Sequence, residues 1–454
     1  WAGYYHYLAT GDLAFLNSYY TLFYEAGRAM SEDSGIDSRL YYDDPNQLMH
    51  SNNVWEDSWD DFLYSNATVE RGLRDAARIA AATGHAADQA LFNSRADMIH
   101  AGLNGRLDWN GENTDISQLG LAWPFETHAP TDSRITKVID RINGVATDRW
   151  GNNHPLVNFS GEWQDLVNRY WGDTYWNGGP WFLTTLWYGQ YYAKRQDYAG
   201  GKNDVDNFKY RLDLTRSRLG PIGFGAEQMA PSSSLLYPGQ MDFVLQAAWP
   251  NAWESMSTLT DCIMLFLDHV PDAPAGAIRL APKLPSGWDT MTYKNISVGS
   301  RRLDVTCNEN AVFNTHELRN LAGGALDYDT YVRIPPGKNV VAVLQDGVAV
   351  GYTFDAAASR VHITGPLNAS AGSVTVVKVV HEHIQPDLDH DGDVDVNDLD
   401  LFESCATGPG ISQNSPACSD ARLDSDNDVD QADFGVLQRC FSGGDLPADP
   451  DCEG

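Results

Sequence analysis

Residues 69–101 read VERGLRDAARIAAATGHAADQALFNSRADMIHA. Val69, Leu73, Ala76 and Ala80 recur at helical spacing and stop at Thr83-Gly84, where glycine can take the left-handed conformation that ends a helix. Ala87, Leu91, Ser94, Met98 and Ala101 then supply the stripe of a partner helix, so the stretch predicts a helical hairpin. Upstream, Leu16, Tyr20, Phe23, Gly27 and Met30 give one buried stripe after the Gly11-Asp12 start signal. Downstream, further helices are predicted near 131–147, 180–199, 204–219 and 250–270. The long connections between them are rich in Trp, Asn and Gly, and such loops on a rigid scaffold are where binding groups tend to sit.

After Pro271 the pattern changes. Segments such as KNISVGSRRLDVTCNE and SVTVVKVVHEH are rich in β-branched residues, and Asp346-Gly347 signals a hairpin turn. These features predict a β-sandwich over 273–383, without evident chemistry of its own. His381 and His383 would share a strand face, most simply a solvent-facing one.

Charge marks a second boundary. The chain holds 31 basic and 62 acidic residues among 454, a net −31, which excludes a general nucleic-acid binder. From Ile384 onward, 18 acidic and 2 basic residues carry −16 of that charge, so the tail is a separate module. It also holds Cys405, Cys418, Cys440 and Cys452, which suggests up to two disulfides in an oxidising, extracellular setting, with three pairings open. No run of 18 apolar residues occurs, so no membrane span is expected.

Within the tail, DLDHDGDVDVND (387–398) sets Asp387, Asp389, Asp391, Asp393, Asp395 and Asp398 at positions 1, 3, 5, 7, 9 and 12, with Gly392 at position 6. Alternating carboxylates around a sharp glycine turn converge on a hard cation, so calcium is the expected ligand. A second copy places Asp424, Asp426, Asp428, Asp430 and Asp433 in register, but Arg422 stands at position 1 and cannot ligate. Site two is therefore expected to be weaker or empty. The two loops, each followed by a short helix, resemble the type I dockerin repeat, whose position 12 is also Asp. That resemblance implies a cohesin-like scaffold partner and an extracellular polysaccharide-degrading enzyme upstream.

Three segments of the helical part set acidic groups beside aromatics and glycine. They are NNVWEDSWDDF (52–62) with Glu56, RYWGDTYWNGGPW (169–181) with Arg169 and Asp173, and GFGAEQ (223–228) with Glu227. Glycosidic hydrolysis needs one carboxylic acid for the leaving oxygen and one carboxylate for water or carbon. On composition alone, such loops are more often core edge and solvated surface.

In order and spacing, however, the three segments resemble glycoside hydrolase family 15, the glucoamylase family. Asn52 to Asp57 match its acid motif, and Arg169, Tyr170, Asp173, Thr174, Tyr175, Asn177, Gly178, Pro180 and Trp181 match its middle motif. Gly179 replaces an Asn there, Asp57 replaces a Glu, and Glu227-Gln228 ends the base motif. Trp249 resembles a later segment more loosely.

The resemblance implies an inverting mechanism with Glu56 as general acid and Glu227 as general base. Trp55, Asp57, Arg169, Tyr170, Asp173, Trp181 and Trp249 would hold the substrate. It further implies a mostly α, (α/α)6 toroid glycosidase domain over 1–272, incomplete at its N-terminus, followed by the β-sandwich and a small EF-hand-like calcium module over 384–454. The implied activity is exo-acting release of glucose from a starch-like α-glucan, with no cofactor for catalysis. Glucodextranase or trehalase activity, or a catalytically inactive calcium-dependent binding or docking protein, are the alternatives. The start at Trp1 without the family's first hairpins predicts a truncated piece, poorly stable and weakly active or inactive by itself.

Overall fold

A computed structural model describes residues 1–31, 41–43, 46–175, 178–219, 225–229, 251, 257–424 and 426–452. Two compact units result: 1–198 with 202–266, and 199–201 with 267–454.

In the first unit, α1 (Ala2–Thr10) precedes α2 (Leu13–Ser18), which starts where the Asp12 carboxylate accepts the Phe15 N–H. Tyr19 leaves helical geometry, so the single stripe expected over 16–30 is divided between α2 and α3 (Tyr20–Ala29). The hairpin expected at 69–101 is present as α4 (Leu63–Ala82) and α5 (Ala86–Trp109), with Gly84 at φ +82° in the turn. Leu73, Ala76 and Ala80 of α4 are buried as the spacing required.

The predicted α5 stripe is corrected by about one residue. Ala87, Leu91, Ser94 and Ala101 face solvent, while Phe92, Ala96, Ile99, Leu103 and Leu107 are buried. Small side chains remove little area from water, so the larger residues set the rotation of the helix. After a 3₁₀ helix (Ile116–Leu121) come α6 (Ser133–Ile142), α7 (Phe182–Arg195) and α9 (Ser257–Leu265), inside the expected ranges, and α8 (Asn203–Arg216), which starts one residue before its range. One sheet was not anticipated: β1 (Tyr41–Asp43), β2 (Leu48–Asn52) and β3 (Trp59–Asp60) pair antiparallel. Its β2–β3 turn carries Glu56.

The second unit holds two facing-type sheets of the sandwich class. Strands β4 (His269–Asp272), β5 (Ala277–Leu280), β9 (Asp327–Arg333), β12 (Thr353–Asp355) and β13 (Arg360–Pro366) form one, in the order β12-β13-β9-β5-β4. The other, β11-β10-β14-β8-β7-β6, is built from β6 (Thr290–Val298), β7 (Arg301–Glu309), β8 (Phe313–Asn320), β10 (Ala342–Gln345), β11 (Val348–Ala349) and β14 (Val374–Val380). Asp346 and Gly347 both have positive φ, as a two-residue hairpin turn of this hand requires. His381 lies just past β14 and is buried, against the expectation of a solvent-facing pair; His383 is exposed.

The acidic tail carries α10 (Val396–Cys405) and α11 (Gln431–Cys440). Disulfides Cys405–Cys418 and Cys440–Cys452 resolve the open pairing. Val394, Phe402, Val429 and Leu437 of the tail form one core with Val312, Phe313 and Val380 of the sheet.

The α4–α5 core turns on Phe92, which is 1% exposed and packs against Gly27, where an added Cβ would come within 2.7 Å of the ring. Phe92→Ala is expected to lower the unfolding free energy by about 3–5 kcal/mol in urea titrations. A loss below about 1 kcal/mol would place the core elsewhere.

Candidate active site

The turn between β2 and β3 is closed by Asn53. Its N–H donates to the Ser58 carbonyl (3.0 Å), its Oδ1 accepts the Asp57 N–H (3.1 Å), and its Nδ2 donates to the Asp57 carboxylate (2.7 Å). Asparagine suits this role because its short amide can bond locally to backbone. The closed turn holds Glu56 at φ +63°, a left-handed conformation that costs a non-glycine residue of order 1–3 kcal/mol. Glu56 is thereby presented to solvent between Trp55 and Asp57.

Arg169 and Asp173 form a two-point ion pair, Nε to Oδ2 at 2.8 Å and a terminal nitrogen to Oδ1 at 2.6 Å, with both side chains over nine-tenths buried. Four rings surround the guanidinium: Trp181 at 4.4 Å, Tyr175 at 5.0 Å, Tyr170 at 5.1 Å and Trp55 at 5.2 Å. Burial alone would lower the Arg169 pKa, but the Asp173 carboxylate outweighs it and the net movement is upward.

From this cage two tyrosines reach the acidic groups. The Tyr170 hydroxyl donates to Asp57 (2.8 Å), and the Tyr175 hydroxyl donates to Glu227 (2.8 Å). The Glu227 segment is zipped onto Tyr175, Pro180 and Trp181: Gln228 Nε2 donates to the Tyr175 carbonyl, the Met229 N–H donates to the Pro180 carbonyl, and Trp181 bridges Gln228.

Gly179, the departure from the family pattern, sits at φ +127°, where a side chain would be strained. At Gly178 an added Cβ would lie 2.9 Å from the Asp173 carbonyl. The backbone of this turn therefore accounts for both glycines.

The structure thus brings together Trp55, Asp57, Arg169, Tyr170, Asp173, Trp181 and Glu227, with Glu56 on the turn that holds Trp55. Trp249 lies outside the described residues. Two participants escaped the sequence reading. Tyr175 is one residue of the middle motif with no role implied by it, yet its hydroxyl links Glu227 to the cage. Asp115 carried no motif, yet its carboxylate accepts the Trp55 indole N–H (2.8 Å) and the Ser117 N–H (2.8 Å) behind the turn. Burial pushes the Asp115 carboxyl up to about 6, against those donors.

In the tail, oxygens of Asp387, Asp389 and Asp398 lie within 4.8 Å of one another, as do those of Asp393, Asp395 and Asp398. Asp424, Asp426 and Asp433, and Asp428, Asp430 and Asp433, repeat the arrangement in the second loop. Burial, then neighbouring carboxylates, pushes Asp387 up to about 7 and Asp389 up to about 6, the repulsion a hard cation would offset. The position-7 residues also brace the module: Asp393 accepts the Asp445 N–H, and Asp428 accepts the Gly410 N–H. Lys378, from β14, brings its ammonium within 3.6 Å of Asp391. The donor set is all oxygen and fits calcium or another hard cation.

No family model matches the chain. An uncharacterized glycosyl hydrolase of Methanocaldococcus jannaschii is 23% identical over 220 residues, covering 45% of this chain and 31% of that protein. The chain thus spans about a third of the curated relative it matches. Among solved structures, an α-L-rhamnosidase from Dictyoglumus thermophilum superposes with a TM-score of 0.50 at 10% identity, covering 83% of this chain and 38% of its own. A glycoside hydrolase family 15 glucoamylase from Hypocrea jecorina aligns over 62% of this chain and 66% of its own at 12% identity, with a TM-score of 0.32, too low to argue from. The fold is glycosidase-like.

The Asp115–Trp55 bond yields a double-mutant test. Folding raises the Asp115 pKa from about 4 to about 6, so the folded state binds more protons in that window and its stability falls as pH rises through it. The indole bond, made to the ionised form, offsets part of that fall. Combining Asp115→Ala with Trp55→Phe should give a coupling of about 1 kcal/mol at pH 7.5 that fades below pH 6. Additive, pH-independent losses in denaturant titrations would contradict the assigned bond.

Proposed function

We propose that the chain belongs to an inverting, exo-acting α-glucoside hydrolase of the family 15 type that releases glucose from starch-like α-glucans. In this reading 1–272 is the glycosidase domain, of the (α/α)6 toroid type, 273–383 a β-sandwich and 384–454 a calcium module. One observation carries it. The caged Arg169–Asp173 pair holds Trp55 and Tyr175 at once, and these residues position the two glutamates that the motif pairs.

Glu56, protonated, gives its proton to the departing glycosidic oxygen. Glu227, ionised, takes a proton from the water that attacks the anomeric carbon from the opposite face, so the products are a shortened glucan and β-glucose. Tyr175 donates to Glu227 and so fixes the orientation of its carboxylate, as a general base requires. Asp57, held by Tyr170 and Asn53, is placed to accept a sugar hydroxyl beyond the cleaved bond. The Trp181 indole N–H is buried and has no acceptor among the described residues. Leaving such a donor empty costs about 1–3 kcal/mol.

The tail, in the same reading, is a type I dockerin-like module. Asp387, Asp389, Asp391, Asp393 and Asp398 hold one calcium, and Asp424, Asp426, Asp428 and Asp433 form a weaker site. Calcium here supplies folding energy and no catalytic step. The module would dock on a cohesin-like scaffold outside the cell, in keeping with its two disulfides.

Glu227→Gln and Glu56→Gln should each lower kcat on maltooligosaccharides by at least about 10²-fold while calorimetric binding survives. Retention of more than half of the rate in either variant would remove that residue from the chemistry. Separately, a chelator should lower the melting temperature, calcium should restore it, and Asp398→Ala should abolish the response while Asp424→Ala leaves most of it. An unchanged melting curve would refute the metal assignment.

A further inference from the structure

The tail repeats more than its loops. Asp393, Val394, Cys405 and Thr407 recur 35 positions later as Asp428, Val429, Cys440 and Ser442. Each repeat is therefore a loop, a helix, a cysteine at the helix end and a following segment that a second cysteine closes. Cys405–Cys418 closes the segment after α10, and Cys440–Cys452 closes the one after α11.

Each closed segment braces the loop of the other repeat. Over loop one, the Ser442 and Gly443 N–H groups donate to the Val394 carbonyl (2.9 and 3.1 Å), and the Val394 N–H donates to Ser442 Oγ (3.0 Å). The Asp445 N–H donates to Asp393 Oδ2 (2.7 Å) and the Ala448 N–H to the Gly392 carbonyl (3.2 Å). Over loop two, Thr407 and Gly408 donate in the same way to the Val429 carbonyl (2.9 and 3.1 Å), and the Val429 N–H donates to Thr407 Oγ1 (3.1 Å). Gly410 donates to Asp428 and Gln413 to the Asn427 carbonyl (2.7 Å), completing the match bond for bond.

These bonds fall on positions 6 to 8 of each loop. In calcium loops of this kind position 6 makes the sharp turn and position 7 ligates through its backbone carbonyl. That carbonyl is only as well placed as the peptides around it, and partners that orient a metal ligand typically govern affinity by roughly 10–100-fold. The bracing segment after α11 has no helix or strand of its own, so the covalent closure at Cys440 and Cys452 is what restricts its course.

We propose that the two disulfides position calcium in a crossed sense: Cys440–Cys452, in the second repeat, holds the metal site of loop one, and Cys405–Cys418, in the first repeat, serves loop two. Nearness in the chain would assign them the other way round, since Cys405 ends the helix that loop one begins. The inference rests on the proposed calcium reading of the tail. It makes metal retention in loop one sensitive to thiol reductants: a dithiol passes two electrons and two protons to Cys440–Cys452, leaving two thiols there and a disulfide of its own.

The test is calorimetric calcium titration of the full chain, in which the tighter transition is assigned to loop one by its loss in Asp398→Ala. Cys440→Ser combined with Cys452→Ser should weaken that transition at least about tenfold, whereas Cys405→Ser combined with Cys418→Ser should leave it within about a factor of two. Dithiothreitol added to the second of these variants should reproduce the loss seen in the first. Ser442→Ala, which keeps both disulfides, should weaken the same transition about threefold, and its counterpart Thr407→Ala should not. Melting curves establish that the variants fold, and if the cysteine variants do not, the Ser442 and Thr407 pair decides alone. Equal affinities in the two cysteine variants, a larger loss from the Cys405 and Cys418 change, or equal effects of Ser442→Ala and Thr407→Ala would overturn the crossed linkage and leave the calcium reading standing. Absence of calcium binding by the unmodified chain would refute that reading and the linkage with it.

Discussion

The ion pair between Arg169 and Asp173 is the constraint on which the site is built. Both groups are withdrawn from water, which costs several kcal/mol per ion unless geometry and further contacts offset it. Here the offset is the two-point hydrogen bonding at 2.8 and 2.6 Å together with four aromatic faces around the guanidinium. Removing either charge would strand the other in an apolar cage. The pair therefore fixes the relative positions of rings drawn from the β2–β3 turn and from the long connection ahead of α7.

That arrangement explains how residues far apart in the chain become one locus. Trp55 is gripped from the front by Arg169 and from behind by Asp115, so the strained Glu56 turn is held from both sides. Tyr175 is gripped by the same guanidinium and hands its hydroxyl to Glu227. The α4–α5 and α7–α8 pairs provide rigid support, and the chemistry sits on the irregular segments between them. Tight packing below and loops above let the acidic groups differ in setting while their anchors stay common.

Much of this was legible in the sequence, for identifiable reasons. Helix α4 was readable because its stripe of Leu and Ala ends at a glycine that must turn. Helix α5 was misread by one position because Ala87, Ser94 and Ala101 kept the period while offering little area to bury, and Phe92 and Ile99 decided the face. The β1–β2–β3 sheet was not legible, since strands of two to five residues leave no usable alternation. Asp115 was invisible for a different cause: its importance lies in a bond to a residue 60 positions away. In the tail, the Asp spacing announced the loops, but it did not foretell that Phe402 and Leu437 would share a core with Phe313 and Val380 of the sheet.

The central claim is that Glu56 and Glu227 act as an acid and base pair across one sugar. Proton NMR of the first product formed from maltohexaose reads that directly, in the longest catalytically competent form of the protein. The account predicts β-glucose as the initial anomer, equilibrating to the mixture only later. Initial α-glucose would contradict it, because retention requires one carboxylate to attack carbon instead of activating water.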